Sequence, residues 1–214
     1  DSAGTATIDP NYEFQILKSV GRISGLAAQI ATHPCRAGIG IGHTRWATHG
    51  PATVTNAHPH IGGEEQLVVV HNGVIENYAD LKSRLQKKGY QFVSETDTEV
   101  IAHLVADCLK SKQQASAKGE SHEIQTAVDA IKEAIAQLRG TYGLAIMFRQ
   151  CRTLFSQLGL AVHWLWASAT MSISSPVMRH PSSDTPTALS IWRIIKSPLS
   201  KLTRWRSRIA IAGL

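Results

Sequence analysis

Three polar, chemically dense stretches each interrupt or end an apolar run of strand character, and this pairing constrains the fold of the chain more than any other feature. His43-Thr-Arg-Trp-Ala-Thr-His-Gly50 follows Gly38-Ile-Gly-Ile-Gly42, His71-Asn-Gly73 follows Gln66-Leu-Val-Val-Val70, and Ser94-Glu-Thr-Asp-Thr-Glu99 follows Tyr90-Gln-Phe-Val93. A short apolar run bounded by turn formers reads as a buried strand. The loops that end such strands are held on a rigid scaffold, where binding groups concentrate. The three stretches offer a guanidinium (Arg45), hydroxyls (Thr44, Thr48), imidazoles (His43, His49), a carboxamide beside a glycine (Asn72-Gly73) and a carboxylate (Asp97). That set suits a small zwitterion. An arginine pairs with a carboxylate through two parallel bonds, an aspartate pairs with an ammonium, and an asparagine with a glycine N–H can stabilise an oxyanion.

The rest of residues 1–150 alternates between strand and helix patterns. Thr5 to Asp9 and Glu13 to Val20 read as strands about the turn Asp9-Pro-Asn11. Ile23, Leu26, Ala27 and Ile30 predict an amphipathic helix over 22–33. Gly38 to Gly42 reads as a tight strand; without a strand-turn-helix context it is no phosphate cradle. Gln66 to Val70 is a strand that Asn72-Gly73 is expected to end, and Asn77 caps a helix running through Leu81 and Leu85 to Gly89. Tyr90 to Val93 reads as another strand. Thr96 or Asp97 caps a helix whose apolar face is Val100, Ile101, Leu104, Val105 and Cys108, with Glu99 in its first turn. Residues 110–122 read as a polar surface connector. Ile124, Val128, Ile131, Ile135 and Leu138 predict a further helix stopped by Gly140, and Tyr142 to Phe148 a last strand. Periodicity alone gives α/β or α+β.

A length of 214 residues suits one good-sized core. No run approaches the roughly 18 uncharged apolar residues of a membrane span. The opening Asp1-Ser-Ala-Gly-Thr5 has neither the basic nor the apolar region of a secretory signal. Three scattered cysteines (Cys35, Cys108, Cys151) make no disulfide framework or zinc knuckle. A cytoplasmic setting with no membrane association fits. His58-x-His60 has no third ligand at a recognisable spacing, so no metal site is expected. The net charge of +6 points toward nucleic acid until it is located: residues 1–150 hold 14 Lys+Arg against 15 Asp+Glu, and residues 151–214 hold 8 against Asp184 alone. The basicity belongs to the tail, and no nucleic-acid partner is expected.

The motifs HTRWATHG, Asn56-Ala-His-Pro-His60, VVVHNGVIENY and SETDTEVIAHL, in this order, resemble the glutaminase domain of class II glutamine amidotransferases. The branch most resembled is the glutamine–fructose-6-phosphate aminotransferase (glucosamine-6-phosphate synthase) family. The resemblance covers roughly Asp1 to Arg149. It implies an α+β fold, a four-layer αββα sandwich of the N-terminal-nucleophile hydrolase type. It implies that Arg45 takes the glutamine carboxylate and Asp97 the α-ammonium, and that Trp46, Thr48 and His49 shape and hydrogen-bond the pocket; Trp46 read on its own is a core aromatic, and the two roles are compatible. Asn72 and the Gly73 N–H are implied as the oxyanion hole. No cofactor is implied. The partners implied are glutamine, a C-terminal sugar-phosphate isomerase domain that binds fructose 6-phosphate, and further copies in a homo-oligomer.

In that family the nucleophile is a cysteine at the mature N-terminus, upstream of the segment that Asp1-Ser-Ala-Gly4 resembles. On this reading the sandwich is incomplete, the nucleophilic Cys is absent from the chain, and the chain alone is expected to be inactive. None of Cys35, Cys108 and Cys151 lies in a matching motif, and a reactive cysteine needs an activating base or a depressed pKa. The alternative is a non-catalytic glutamine-binding module.

Residues 151–214 read differently. They hold four of the five tryptophans (Trp164, Trp166, Trp192, Trp205), eleven serines and no glutamate, with no sustained periodicity. Permitted codons for Trp166 to Pro181, read from the third base, encode Gly-Ile-Gly-Asp-Asp-Glu-Tyr-Phe-Ile-Ala-Ser-Asp-Ala-Ser-Pro, a family-like run. The tail is therefore expected to be a frameshift product beginning near residue 150, and to pack poorly.

Overall fold

The Asp9 carboxylate closes the first turn. Its Oδ1 accepts the N–H groups of Asn11 and Glu13, each at 2.8 Å, and so folds the chain back on itself. The computed structural model describes residues 1–35, 37–47, 50–115, 120–150, 153–159 and 165–167, with side chains over 1–35, 37–47, 50–114 and 123–150. The turn joins β1 (Ser2–Ile8) to β2 (Phe14–Val20), and β3 (Ile39–Arg45) pairs antiparallel with the other edge of β1, giving the order β2-β1-β3. A second antiparallel sheet runs β4 (His60–Gly62), β5 (Leu67–Ile75), β6 (Gly140–Phe148), β7 (Thr153–Gly159) and β8 (Leu165–Ala167). The helices are α1 (Ile23–Thr32), α2 (Tyr78–Lys87), α3 (Asp97–Ala115) and α4 (Glu120–Ile135).

Two cores follow from strand alternation. Val68 and Val70 of β5, with Ala145 and Met147 of β6, face Ala6, Ile8 and Ile41 of the three-stranded sheet. Leu67, Val69, Leu144, Ile146 and Phe148 face the other way, onto Ile101, Leu104, Val105, Ile131 and Ile135 of α3 and α4. The five-stranded sheet is thus buried on both faces, which is why β5 reads as a continuous apolar run. With α1 packed on β1 and β2, the layers run helix, sheet, sheet, helices. This is the α+β, αββα arrangement expected. Gly4 lies where the layers approach: a Cβ there would collide with the His58 carbonyl.

Several local expectations change. Asn72-Gly73 does not end β5. The strand continues to Ile75, with Asn72 opposite Gly143 and Gly73 opposite Tyr142. Tyr90 to Val93 is not a strand, because its backbone groups go to side chains: Gln91 O bonds His103 Nε2 at 3.0 Å, and Val93 N–H donates to Glu99 Oε1 at 2.9 Å. Asn77 stands at the N-cap of α2 without capping it; its side chain donates to Gln137 O and accepts from Arg139 N–H. Helix α3 runs on to Ala115, so the connector is shorter than its composition suggests; residues 116–119 lie outside the described residues. The tail region contributes β7, seven residues paired along β6, and the short β8.

Candidate active site

Strand parity assembles the site. On β3, Ile41, His43 and Arg45 alternate onto the face turned toward the second sheet, and all three are buried. On β5, Asn72 continues the row of Val68 and Val70, and His71 continues the row of Leu67 and Val69. Asn72 therefore points to the three-stranded sheet, where its Oδ1 lies 2.6 Å from His43 Nε2. His71 points to α3, its Nδ1 3.2 Å from Thr98 Oγ1 and 3.7 Å from Asp97 Oδ1.

The start of α3 is closely specified. Thr96 caps it, its Oγ1 accepting Glu99 N–H at 3.3 Å, and Glu99 reaches back past Thr96 to the N–H groups of Val93 and Ser94 at 2.9 and 2.7 Å. This extended capping box satisfies donors that a helix start leaves open. It leaves Asp97, 4% exposed, to look across at β5, where its Oδ2 accepts Ile75 N–H at 3.0 Å. Arg45 is similarly fixed, donating to the carbonyls of Gly50 and Pro51 at 3.2 and 3.3 Å. Burial disfavours the Arg45 charge, and the Asp97 carboxylate supports it. A buried cation and a buried anion thus stand in electrostatic range of one another, beside the exposed Asn72-Gly73.

Behind these lies a block of histidines. His43 stacks on His58 with centroids 4.3 Å apart, and His60 meets His58 edge-on at 5.2 Å. His58 Nδ1 accepts His71 N–H at 3.3 Å, so its Nε2 carries the proton and donates to Thr98 Oγ1 at 3.2 Å. Burial holds His43 down to about 4, His60 down to about 3, and His58 well below the ordinary imidazole range. These three rings are neutral at pH 7. Both nitrogens of His58 are occupied by protein partners, and among the described residues no group of three or more His, Cys, Asp or Glu is placed to hold a metal ion.

Gly73 has φ +130°, and a Cβ there would strike the Thr141 carbonyl, so the residue must be glycine. Trp46 is 64% exposed just past the end of β3, which removes the core-aromatic reading. Thr48 and His49 lie outside the described residues. Cys108 is buried on α3; burial first, then the Glu133 and Asp107 carboxylates, push its thiol up to about 11, the opposite of a nucleophile's requirement. Cys35 is half-buried outside any element, and Cys151 is not among the described residues. Of the residues the motifs single out, Arg45 and Asp97 interact electrostatically, and Asp97 is bonded to the strand that carries Asn72 and Gly73. The motifs do not reveal that His43 bonds Asn72, or that His58 and Thr98 tie β5 to α3. The alternation of His43 with Arg45 is the signal for the first.

Residues 43–159 match the family model described as a glutamine amidotransferase domain. The glutamine–fructose-6-phosphate aminotransferase [isomerizing] of Salmonella typhi is 48% identical over 147 residues, which cover 69% of this chain. The enzyme of that name from Escherichia coli (strain K12) is 47% identical over the same length. The chain spans 22% of the length of each of these relatives. The structure of a glutamine phosphoribosylpyrophosphate amidotransferase from B. subtilis, complexed with ADP and GMP, superposes with a TM-score of 0.54 at 27% identity, over 73% of this chain and 30% of that one. On the matched motifs, the two-sheet architecture and these likenesses, the chain belongs to the glutamine amidotransferase domain family.

Proposed function

We propose that this chain is the glutaminase part of a glutamine–fructose-6-phosphate aminotransferase, and that its pocket binds glutamine between Arg45 and Asp97. The observation that carries the reading is the placement of those two buried, opposite charges beside Asn72-Gly73, in a chain 47% identical to such an aminotransferase. Arg45 takes the α-carboxylate through its planar fork. Asp97, held by Ile75 N–H, takes the α-ammonium. The Asn72 carboxamide and the Gly73 N–H receive the oxyanion as the side-chain amide is attacked. Trp46, with Thr48 and His49, shapes the pocket.

Hydrolysis needs a nucleophile, and neither described cysteine is suited to it. In the family reading the nucleophile is a cysteine at the mature N-terminus, which attacks the side-chain amide to give a thioester and ammonia. The remaining length of the relatives accommodates a sugar-phosphate isomerase domain that would use the ammonia to convert fructose 6-phosphate to glucosamine 6-phosphate. We place the enzyme in the cytoplasm as a homo-oligomer. Among the described residues no helix is long and apolar enough to cross a membrane.

Taken alone, the 214-residue polypeptide is a glutamine-binding module. Titration calorimetry tests this: L-glutamine binds, and Arg45→Ala and Asp97→Asn each abolish the heat. Binding that survives both changes overturns the assignment. We assign the tail beyond residue 159, the last residue of the family match, to a frame break.

A further inference from the structure

We propose that His43 is a positioning residue that sets the orientation of the Asn72 carboxamide, and through it the formation of the oxyanion hole. The inference rests on the reading of Asn72 given above and assigns the control of its orientation.

The bond between them crosses from one sheet to the other. His43 lies on β3, 6% exposed, with its ring stacked on His58; Asn72 lies on β5 with its side chain at the surface. Their 2.6 Å contact joins Nε2 to Oδ1. A carboxamide oxygen only accepts, so Nε2 must be the protonated nitrogen, and the amide's two N–H bonds are what the side chain offers elsewhere.

The other arrangement is chemically self-consistent, which is why a selector is needed. With the ring proton on Nδ1, Nε2 accepts from the Asn72 amide, the carboxamide is turned by half a rotation, and Oδ1 faces the position where negative charge develops. An acceptor there repels the oxyanion that a donor would stabilise. Ring tautomer and amide orientation are therefore one two-state choice. Burial, which holds the ring down to about 4, keeps it neutral across the working pH range, so the choice is between tautomers and not between charge states. The flat stacking on His58 limits ring rotation as an escape.

Two measurements test this. In the 214-residue chain, nitrogen-15 NMR of the imidazoles is expected to show His43 as the Nε2-protonated tautomer. An Nδ1-protonated ring overturns the proposal. In the full-length enzyme that carries this domain, His43→Phe is expected to lower kcat for glutamine hydrolysis by about 10- to 100-fold, less than outright loss of the donor. KM for glutamine should stay within about threefold, since the interaction is made in the transition state. His43→Gln, whose amide can donate to Oδ1, is expected to recover part of kcat and also serves if the Phe variant fails to fold. A KM rise with unchanged kcat, or no recovery by Gln, overturns the proposal. Asn72→Ala is the separating control: if it leaves kcat intact, the oxyanion assignment itself has failed, whatever His43 does.

Discussion

Asp97 Oδ2 accepts the backbone N–H of Ile75 at 3.0 Å, so the carboxylate at the start of α3 is tied to the strand that carries Asn72 and Gly73. The bond separates two roles of one side chain. Asp97→Asn can keep an acceptor for Ile75 N–H while losing the charge, and is expected to fold normally while glutamine affinity falls out of calorimetric reach, by roughly 100-fold or more, about 2.8 kcal/mol. Asp97→Ala leaves a buried N–H without its partner and is expected to cost a further ~1–3 kcal/mol of stability. Calorimetry reads the first and a thermal melt the second; equal affinity in wild type and the Asn variant would remove Asp97 from the ligand.

Gly73→Ala is expected to be among the most damaging single-methyl changes in the chain. The added carbon meets a backbone carbonyl, and the φ of +130° is one that alanine avoids. A loss of roughly 2–4 kcal/mol is expected from strain and displaced strand pairing together. Gly38→Ala, where a Cβ meets nothing within 4 Å, is the control and should be close to neutral in urea unfolding.

Acid should unfold this domain early. His43 and His60 are held at about 4 and about 3 in the fold, and His58 is also lowered, against an ordinary value of 6.5. The unfolded chain therefore binds protons first. Stability from these rings is fully present above about pH 6.5 and is lost as pH falls from there toward the folded values. By pH 5 the loss is about 2 kcal/mol for each of His43 and His60, and His58 acts in the same direction. Urea midpoints at pH 7.5 and pH 5 check it; equal midpoints would contradict the burial of the cluster.

The cysteines give a chemical test. Cys108, with its thiol pushed up to about 11, should resist alkylation in the native state at pH 8, while half-buried Cys35 is labelled. The 214-residue chain should release no ammonia from glutamine above background. Turnover lost on alkylation of Cys35 would identify a nucleophile that the motifs do not.

Resequencing the gene across the codons for Trp166 to Pro181 is expected to reveal a frame break upstream of Trp166. A clean reading frame through that stretch would make the tail genuine sequence.

Much of this was readable beforehand, and the exceptions share a cause. Apolar periodicity gives the strands and helices that bury a face, and short polar motifs single out Arg45, Asn72, Gly73 and Asp97 as the residues proposed for the site. The failures came where backbone groups are satisfied across the chain. Val93 N–H goes to Glu99 and Gln91 O to His103, so a strand-like run is not a strand. Asn77 serves Gln137 and Arg139, not its own helix. Asn72-Gly73 looks like a turn because such pairs usually are turns, yet here β6 offers Tyr142 and Gly143 as ladder partners. Local pattern reports which faces are buried; it does not report which distant donor finds which acceptor.

Because β5 is walled by apolar layers on both sides, sliding it by a single residue would exchange Val68 and Val70 with Leu67 and Val69 and turn Asn72 away from His43 toward α3. Insertion or deletion of one codon between Leu67 and Val70 would thus keep Asn72 in the sequence but out of position, while Arg45 on β3 and Asp97 on α3 stay where they are. The chemistry of this pocket is inherited from whether a residue's place along one strand is odd or even.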